Sequence, residues 1–152
     1  MALIKIFFPC TLWLLTSLTL AAQENWLIAT SSLSHTQTVE ILQKNVEQKG
    51  FRIFNTIDHA QGAVAAGLTL RPTTLIIFGN PKGGTLVMNC DQKMGMVLPL
   101  KILVWEDDTK QVKVGFIDPE QYSKEYNLEK CMDVLVKMKG ALTELIKSVE
   151  KK

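Results

Sequence analysis

The strongest constraint on the fold is a stripe of apolar residues near the C-terminal end of the chain. The stripe has the spacing 4-3-4-3-4 and consists of Cys131, Leu135, Met138, Leu142, Leu145 and Val149. This spacing places all of its members on one face of an α-helix, which we predict over residues 128–149. Such a helix is stable mainly through the packing of its apolar face. We expect the stripe to pack on a β-sheet of the same domain, and a seam between two copies of the chain is the alternative.

Five short segments rich in β-forming residues are predicted to supply that sheet. They cover residues 25–31, 51–57, 75–78, 100–106 and 111–117. The last two flank a turn-like sequence at residues 107–110, which predicts an antiparallel hairpin. Residues 75–78 form a compact apolar run that stops abruptly at Gly79, so we expect a buried strand there.

Helices are predicted between these strands by their capping residues. Ser34 and Gln37 have the spacing of a capping box, and Gly50 is suited to ending the helix that they begin. Asp58 can cap a shorter helix that ends at Gly67. The order of elements, with its late hairpin, predicts an α+β two-layer sandwich. We expect a mixed or antiparallel sheet of about five strands, packed by helices that include the long C-terminal one.

The charge balance limits the classes of partner. The chain has 152 residues, with 17 Lys and Arg against 15 Asp and Glu. Only one of these charges, Lys5, lies in residues 1–22, so residues 23–152 carry a net charge of about +1. A nucleic-acid-binding domain needs a strong basic excess, and we therefore exclude that class. The length of residues 23–152 suits a single domain with a sizeable core.

The first 22 residues have the three parts of a secretory signal. Lys5 supplies the positive start, residues 6–20 form an interrupted apolar run, and two alanines then provide small residues for the peptidase. We predict that the signal is cleaved and that residues 23–152 are exported, to the periplasm or outside the cell. The apolar run is short for a membrane span, and an uncleaved anchor is the alternative. Contact with a membrane is expected only through this segment.

The cysteines leave two interpretations open. Cys10 lies in the signal and should be lost with it, whereas export would carry Cys90 and Cys131 into an oxidising compartment. A disulfide between these two would close a loop of about 40 residues and stabilise the fold by roughly 4 kcal/mol. Two separate buried thiols are the other interpretation, because the sequence gives no distance between their Cα atoms.

Several strings of the central sequence occur together in one known family. They are Ile-Asp-His-Ala at residues 57–60, Leu-Ile-Ile-Phe-Gly-Asn-Pro-Lys at 75–82, Leu-Pro-Leu-Lys at 98–101, Val-Trp-Glu-Asp at 104–107 and Asp-Pro at 118–119. Over residues 31–149 the chain resembles the domain of unknown function family 302. The resemblance implies a small α+β domain that forms a homodimer, and it implies no activity.

The glycine-rich sequence at residues 79–85 is a first candidate binding site. It follows a predicted strand and is expected to open a helix, so its backbone N–H groups could bind an anion. Gly83 and Gly84 would let a ligand approach closely, and Lys82 would add a positive charge. The residue order differs from that of a phosphate-binding P-loop, which makes nucleotide hydrolysis a poor fit. A tight structural turn is the alternative.

A second candidate is a polar pocket at the ends of the strands. Asp58 beside His59 suits general base or metal chemistry, although Asp58 as a helix cap is the simpler interpretation. If the two motifs converge, the predicted ligand-binding residues are Asp58, His59, Asn80, Lys82 and Lys101. We assign no catalytic residue. The favoured function is a ligand- or partner-binding module, and an enzyme with its polar site at Asp58, His59, Asn80 and Lys82 is an alternative.

A third candidate is a copper or redox site in residues 85–96, where one or two short helical turns are expected. Thioether and thiolate sulfurs are soft ligands that select Cu(I). The ligands would be Met88, Cys90, Met94 and Met96. Methionine also fills gaps in cores, which is the simpler explanation of the cluster, and we expect no other cofactor.

Overall fold

The computed structural model describes residues 25–150 as an antiparallel sheet with helices packed on one face. The predicted signal and its Cys10 lie outside these residues. The strands are β1 (Trp26–Thr30), β2 (Arg52–Asp58), β3 (Thr73–Gly79), β4 (Leu100–Glu106) and β5 (Val112–Ile117). The α-helices are α1 (His35–Gln48), α2 (His59–Ala65), α3 (Pro81–Cys90) and α4 (Met132–Lys147). The predicted α+β two-layer sandwich is confirmed.

The sheet has the strand order β1-β5-β4-β3-β2, and each neighbouring pair is antiparallel. The predicted hairpin is present between β4 and β5, with Leu103 opposite Gly115. Gly79 ends β3 and lies opposite Arg52 at the start of β2. Asn80 follows directly as the capping residue of α3, so residues 79–82 lie where the sheet stops, as the sequence predicted.

The main core lies between the inner face of the sheet and the helices α1 and α4. Its largest fully buried side chains include Phe78 of β3 and Phe116 of β5. Alternate residues of a strand point to one face, and this period of two places Ile76, Phe78, Ile102, Val104, Val114 and Phe116 together. The C-terminal stripe packs on this surface and on a smaller core beside it. The prediction that the stripe packs within its own chain is therefore confirmed.

The helix ends follow their capping residues. Ser34 and Gln37 form the predicted capping box of α1, and the side chain of Asp58 accepts a hydrogen bond from the Gln61 backbone N–H at the start of α2. α3 begins earlier than predicted, because Asn80 caps it and Pro81 occupies its first turn, where proline is favoured. Residues 82–85 are therefore helical and not part of a turn.

A smaller second core lies beside the sheet, beneath α3. It contains the fully buried Val87, Met94, Leu128 and Leu135. Two short 3-10 helices, Gln92–Met96 and Glu129–Cys131, contribute to it, so the predicted C-terminal helix starts with a tighter turn. No helix within residues 25–150 combines the length and the apolar character that a membrane crossing requires.

Candidate functional site

An apolar cavity of about 760 Å³ lies at one end of the sheet. It lies between the N-terminal part of α3, the middle of α4 and the end of the sheet where β3 stops and β4 begins. The same end contains Arg52 at the start of β2, which pairs with Gly79. Three separate elements therefore meet around one open space, as is usual for ligand sites.

The end of the sheet supplies bulky apolar side chains to the cavity wall. Phe51 and Phe54 line it from the start of β2, and Leu98 and Pro99 line it from the segment before β4. The register of β2 against β3 shifts between Ile53 and Asn55, so Phe54 is the extra residue of a β-bulge. The bulge breaks the strict alternation of the strand, and the Phe54 ring, 48% exposed, is available to the cavity.

Helix α3 supplies a wall in which two adjacent positions have no side chain. Gly83 and Gly84 line the cavity, and a Cβ added to Gly84 would be 3.8 Å from Leu98 Cδ1. Asn80 and Met88 line it at the two ends of this wall. Glycine is unfavourable inside a helix by about 1 kcal/mol relative to alanine, so two adjacent helical glycines weaken α3 while they leave room in the cavity.

Helix α4 closes the cavity on the opposite side. Val134, Met138 and Ala141 line the wall at helical spacing. Asp133 and Lys137 lie at the rim, where the Lys137 Nζ is 3.7 Å from the Asp133 Oδ2 and both side chains are largely exposed. The cavity therefore has an apolar interior and a polar rim with both signs of charge.

The predicted polar pocket is not assembled in the structure. Asp58 lies opposite Thr74 at one end of the β2–β3 pair, whereas Gly79 and Asn80 lie at the other end. Six residues of strand separate the two ends, a distance of about 20 Å. Asp58 accepts from the Gln61 N–H at 2.9 Å and His59 is exposed, so these residues start α2 and do not face Asn80 or Lys82. The hypothesis of an enzyme whose polar site combines Asp58 and His59 with Asn80 and Lys82 is therefore wrong, because the two pairs of residues lie at opposite ends of the β2–β3 pair.

Lys101 also lies apart from the apolar cavity. It points to the outer face of the sheet, and its Nζ donates to the backbone oxygens of Val97 and Pro99. Partial burial lowers the pKa of Lys101 below its ordinary value. Lys101 lines a second, smaller cavity of about 320 Å³ together with Trp26 and Leu103. Of the five predicted ligand-binding residues, only Asn80 lines the main cavity.

The cysteine and methionine cluster does not form the predicted copper site. Cys90 and Cys131 form a disulfide, with 6.5 Å between their Cα atoms, so Cys90 has no thiolate to offer a metal. Met94 is 1% exposed in the second core and Met96 is 87% exposed, which places them in opposite environments. Met88 lines the apolar cavity. Across residues 25–150, no group of three or more His, Cys, Asp or Glu side chains is placed to hold a metal ion.

Sequence reasoning missed most of the cavity. The apolar stripe predicts Met138 as a core residue, and Val134 and Ala141 lie beside that stripe without belonging to it. One available signal was the irregular alternation of residues 51–57, which a bulge at Phe54 explains. The sequence did identify Gly83 and Gly84 as positions where a ligand could come close.

The fold is shared with a solved structure. The crystal structure of an uncharacterized conserved DUF302 protein from Bacillus stearothermophilus superimposes with a TM-score of 0.76 and 19% sequence identity. The superposition covers 82% of this chain and 98% of the other. At that identity the likeness shows the fold alone.

Two curated relatives share a stretch of 101 residues at 38% identity. They are named Fluoride-specific ion channel FluC 1 and come from Brucella suis biovar 1 and Brucella abortus biovar 1. The match covers 66% of this chain, and 40% and 37% of the two relatives respectively. The chain thus spans about two fifths of the length of these relatives.

A family match covers most of the described chain. The family is described as Domain of unknown function DUF302, and it matches residues 27–145. This range includes every strand but the first residue of β1, and it reaches Leu145 in α4. The chain therefore belongs to the DUF302 family, in agreement with the resemblance of its central motifs.

Proposed function

We propose that this protein is an exported binding protein that takes a small, mainly apolar molecule in the cavity between α3, α4 and the end of the sheet. The cavity volume of about 760 Å³ falls within the range of about 300–1,000 Å³ that is usual for small-molecule sites. The wall is built from phenylalanine, leucine, proline, methionine and glycine residues, so it would exclude a strongly hydrated ligand.

The glycines of α3 are the observation that carries this proposal. Gly83 and Gly84 are in ordinary contact range of the opposite walls, where Cβ atoms would lie 4.0 Å from Met138 Cε and 3.8 Å from Leu98 Cδ1 respectively. Alanine would therefore fit at both positions and would favour the helix by up to about 1 kcal/mol each. Glycine at these two positions leaves space in the cavity that alanine would reduce. We infer that a ligand requires this space.

The rim supports a ligand with one polar end. Asn80 Oδ1 accepts from the Lys82 backbone N–H at 3.0 Å, and among the described residues its Nδ2 makes no hydrogen bond, which leaves it able to donate. Asp133 and Lys137 are at the same rim and remain accessible to water. An amphipathic ligand could then bury its apolar part against Phe51 and Met138 while its polar end stays at the mouth.

Two further observations support export. The N-terminal sequence has the three parts of a secretory signal, and the disulfide between Cys90 and Cys131 is of the kind that persists in oxidising compartments. Mass spectrometry of the protein purified from expressing cells tests this part. We expect a chain that begins at residue 22 or 23. A product that keeps residues 1–21 would contradict cleavage.

The proposal does not include channel activity. That activity belongs to the names of the Brucella relatives, of which this chain spans 40% and 37%. Nor does it include catalysis, because the residues that suggested an enzyme lie at opposite ends of the β2–β3 pair.

Binding of a neutral apolar fluorophore, N-phenyl-1-naphthylamine, tests the proposed function. Gly84→Leu places a branched side chain in the cavity wall, and we expect it to weaken binding roughly tenfold, or about 1.4 kcal/mol. Gly140→Leu is the matched control, because Gly140 is an exposed glycine of α4 with nothing within 4 Å of an added Cβ. The control should bind the probe as the unaltered protein does.

Circular dichroism establishes that both variants are folded. Absence of probe binding to the unaltered protein would contradict the proposal. Equal binding by folded Gly84→Leu and Gly140→Leu would contradict it as well, because the probe would then bind outside the cavity.

A further inference from the structure

Two positively charged residues border the mouth of the apolar cavity. Arg52 follows Phe51 at the start of β2, and Lys82 lies between Pro81 and Gly83 in the first turn of α3. Phe51, Pro81 and Gly83 all line the cavity. Both charged side chains are exposed, and neither forms an ion pair within residues 25–150. These two residues, termed the mouth cations below, are therefore available to a ligand at the mouth.

The cavity wall itself holds Arg52 in place. The Arg52 Cζ is 5.8 Å from the centroid of the Phe54 ring, a distance at which a guanidinium is attracted to an aromatic face. Phe54 lines the cavity. A Cβ added to Gly79, which lies opposite Arg52, would be 3.2 Å from the Phe54 Cε2. The lack of a side chain at Gly79 thus lets the ring lie against the strand, and the ring keeps the guanidinium beside the cavity.

The other charges around the cavity are balanced. In the segments that line it, residues 51–54, 79–88, 95–100 and 133–141, the only acidic residue is Asp133. The Lys137 Nζ lies 3.7 Å from the Asp133 Oδ2, and Lys139 pairs with the two carboxylates of residues 118–120. Lys101, directly after the third segment, donates to two backbone oxygens. The mouth cations therefore give the mouth an excess of positive charge.

We propose that the mouth cations select an anionic headgroup, so that the ligand is an apolar chain that ends in a carboxylate. This inference rests on the proposed function, and it adds the sign of charge at the polar end of the ligand. A guanidinium can bind a carboxylate through two parallel hydrogen bonds, and a lysine ammonium acts as a point charge beside it. The two charges come from β2 and α3, which only the fold brings together.

The apolar walls place the headgroup at the mouth. A carboxylate buried among these walls would lose its hydration without gaining a partner, whereas at the mouth it stays partly hydrated and meets two cations. The apolar chain then fills the interior, as in other sites with few polar groups. A cationic amphiphile would be repelled at the same place, and a small hydrated anion would leave the apolar walls unfilled.

Displacement of bound N-phenyl-1-naphthylamine from protein expressed from the full chain tests the charge preference. The competitors are decanoate, its neutral isostere decanamide and the cation decyltrimethylammonium, each below its micelle-forming concentration. At about pH 8 the carboxylate is ionised. We expect decanoate to displace the probe at a roughly tenfold lower concentration than decanamide, and decyltrimethylammonium to be the weakest competitor. Added salt should reduce the advantage of decanoate, because the mouth cations are exposed.

Substitutions of the mouth cations test their role directly. Arg52→Gln and Lys82→Gln should each reduce the advantage of decanoate over decanamide roughly threefold or more, while the affinity for the neutral probe changes little. Lys44→Gln is the matched control, because Lys44 is an exposed lysine of α1, a helix that contributes no residue to the cavity wall. It should keep the full advantage of decanoate. If one mouth variant does not fold, the other still decides the outcome.

The results separate this inference from the proposed function. If the probe binds and the three competitors displace it equally, the cavity is a binding site without a charge preference, and only this inference is overturned. A full preference for decanoate in folded Arg52→Gln and folded Lys82→Gln would overturn it as well. If the probe does not bind the unaltered protein, the proposed function and this inference both fail.

Discussion

Cys90, the last residue of α3, is covalently joined to Cys131, the residue directly before α4, with 6.5 Å between their Cα atoms. These two helices are opposite walls of the apolar cavity. The bond therefore holds the two walls together at one end, next to the second core that contains Val87 and Leu135. The proposed binding site and the stability of the domain thus depend on the same covalent link.

Removal of the disulfide is expected to destabilise the protein strongly. The cysteines are 41 residues apart, and the chain-entropy model assigns a loop of that length about 4 kcal/mol of stabilisation. The double variant Cys90→Ser/Cys131→Ser should lose about that much free energy of unfolding, measured by urea denaturation without reductant.

The control is the unaltered protein in excess reductant, which should unfold at nearly the same urea concentration as the double variant. Thiol titration of the denatured, unreduced protein should find neither Cys90 nor Cys131 free. Two free thiols there, or a double variant as stable as the unaltered protein, would contradict the disulfide's role.

Local signals in the sequence predicted the elements well. Ser34 and Asp58 each precede a helix and cap it through a side-chain oxygen, which is chemistry confined to a few neighbouring residues. The apolar stripe of α4 likewise needs only its own spacing to predict a buried face. These features could be predicted because each depends on residues close together in the chain.

The arrangement of the strands could not be predicted in the same way. Asp58 and Asn80 both stand at strand ends, but antiparallel pairing of β2 with β3 places them at opposite ends of the sheet. The direction of a strand pair depends on long-range contacts that no single segment encodes. The cavity was missed for a similar reason, because Phe54, Gly84 and Met138 come from three distant segments.

The two helix caps offer a matched pair of substitutions. Asp58→Ala and Asn80→Ala each remove one side-chain acceptor from a helix start, at 2.9 Å from the Gln61 N and 3.0 Å from the Lys82 N. Each should cost about 1 kcal/mol of helix stability. Asn80 lines the cavity and Asp58 does not, so only Asn80→Ala should also weaken binding of N-phenyl-1-naphthylamine. Weaker binding by Asp58→Ala would show that the probe reports stability alone.

Truncation of the stripe tests the packing of α4 on the sheet. Leu145 is fully buried in the main core, so Leu145→Ala should lower the free energy of unfolding by about 2–5 kcal/mol. Val136 lies on the same helix and is 53% exposed, so Val136→Ala should change stability by less than about 0.5 kcal/mol. Urea denaturation measures both. Similar losses in the two variants would contradict the assigned inner and outer faces of α4.

Asp91 should make the second core sensitive to acid. Its Oδ1 accepts from the Lys93 N–H at 3.0 Å and its Oδ2 from the Asn127 N–H at 3.2 Å, which ties the 3-10 helix Gln92–Met96 to the segment before α4. These hydrogen bonds, first of all the one from Lys93, lower the pKa of Asp91 below its ordinary value of 3.8 in the folded protein. The ionised form is therefore the one that the fold favours.

The direction of the pH effect follows from this lowered pKa. The stabilisation by Asp91 is fully present above its unfolded pKa, near 3.8, and is lost as the pH falls through the lower folded pKa. Asp91→Asn should unfold at a lower urea concentration than the unaltered protein at pH 7, and the difference should shrink as the pH falls below about 4. Asp133→Asn, a change at an exposed carboxylate of α4, should leave no such difference. A gap between Asp91→Asn and the unaltered protein that stays constant from neutral to acidic pH would contradict this assignment, because only loss of packing would then explain it.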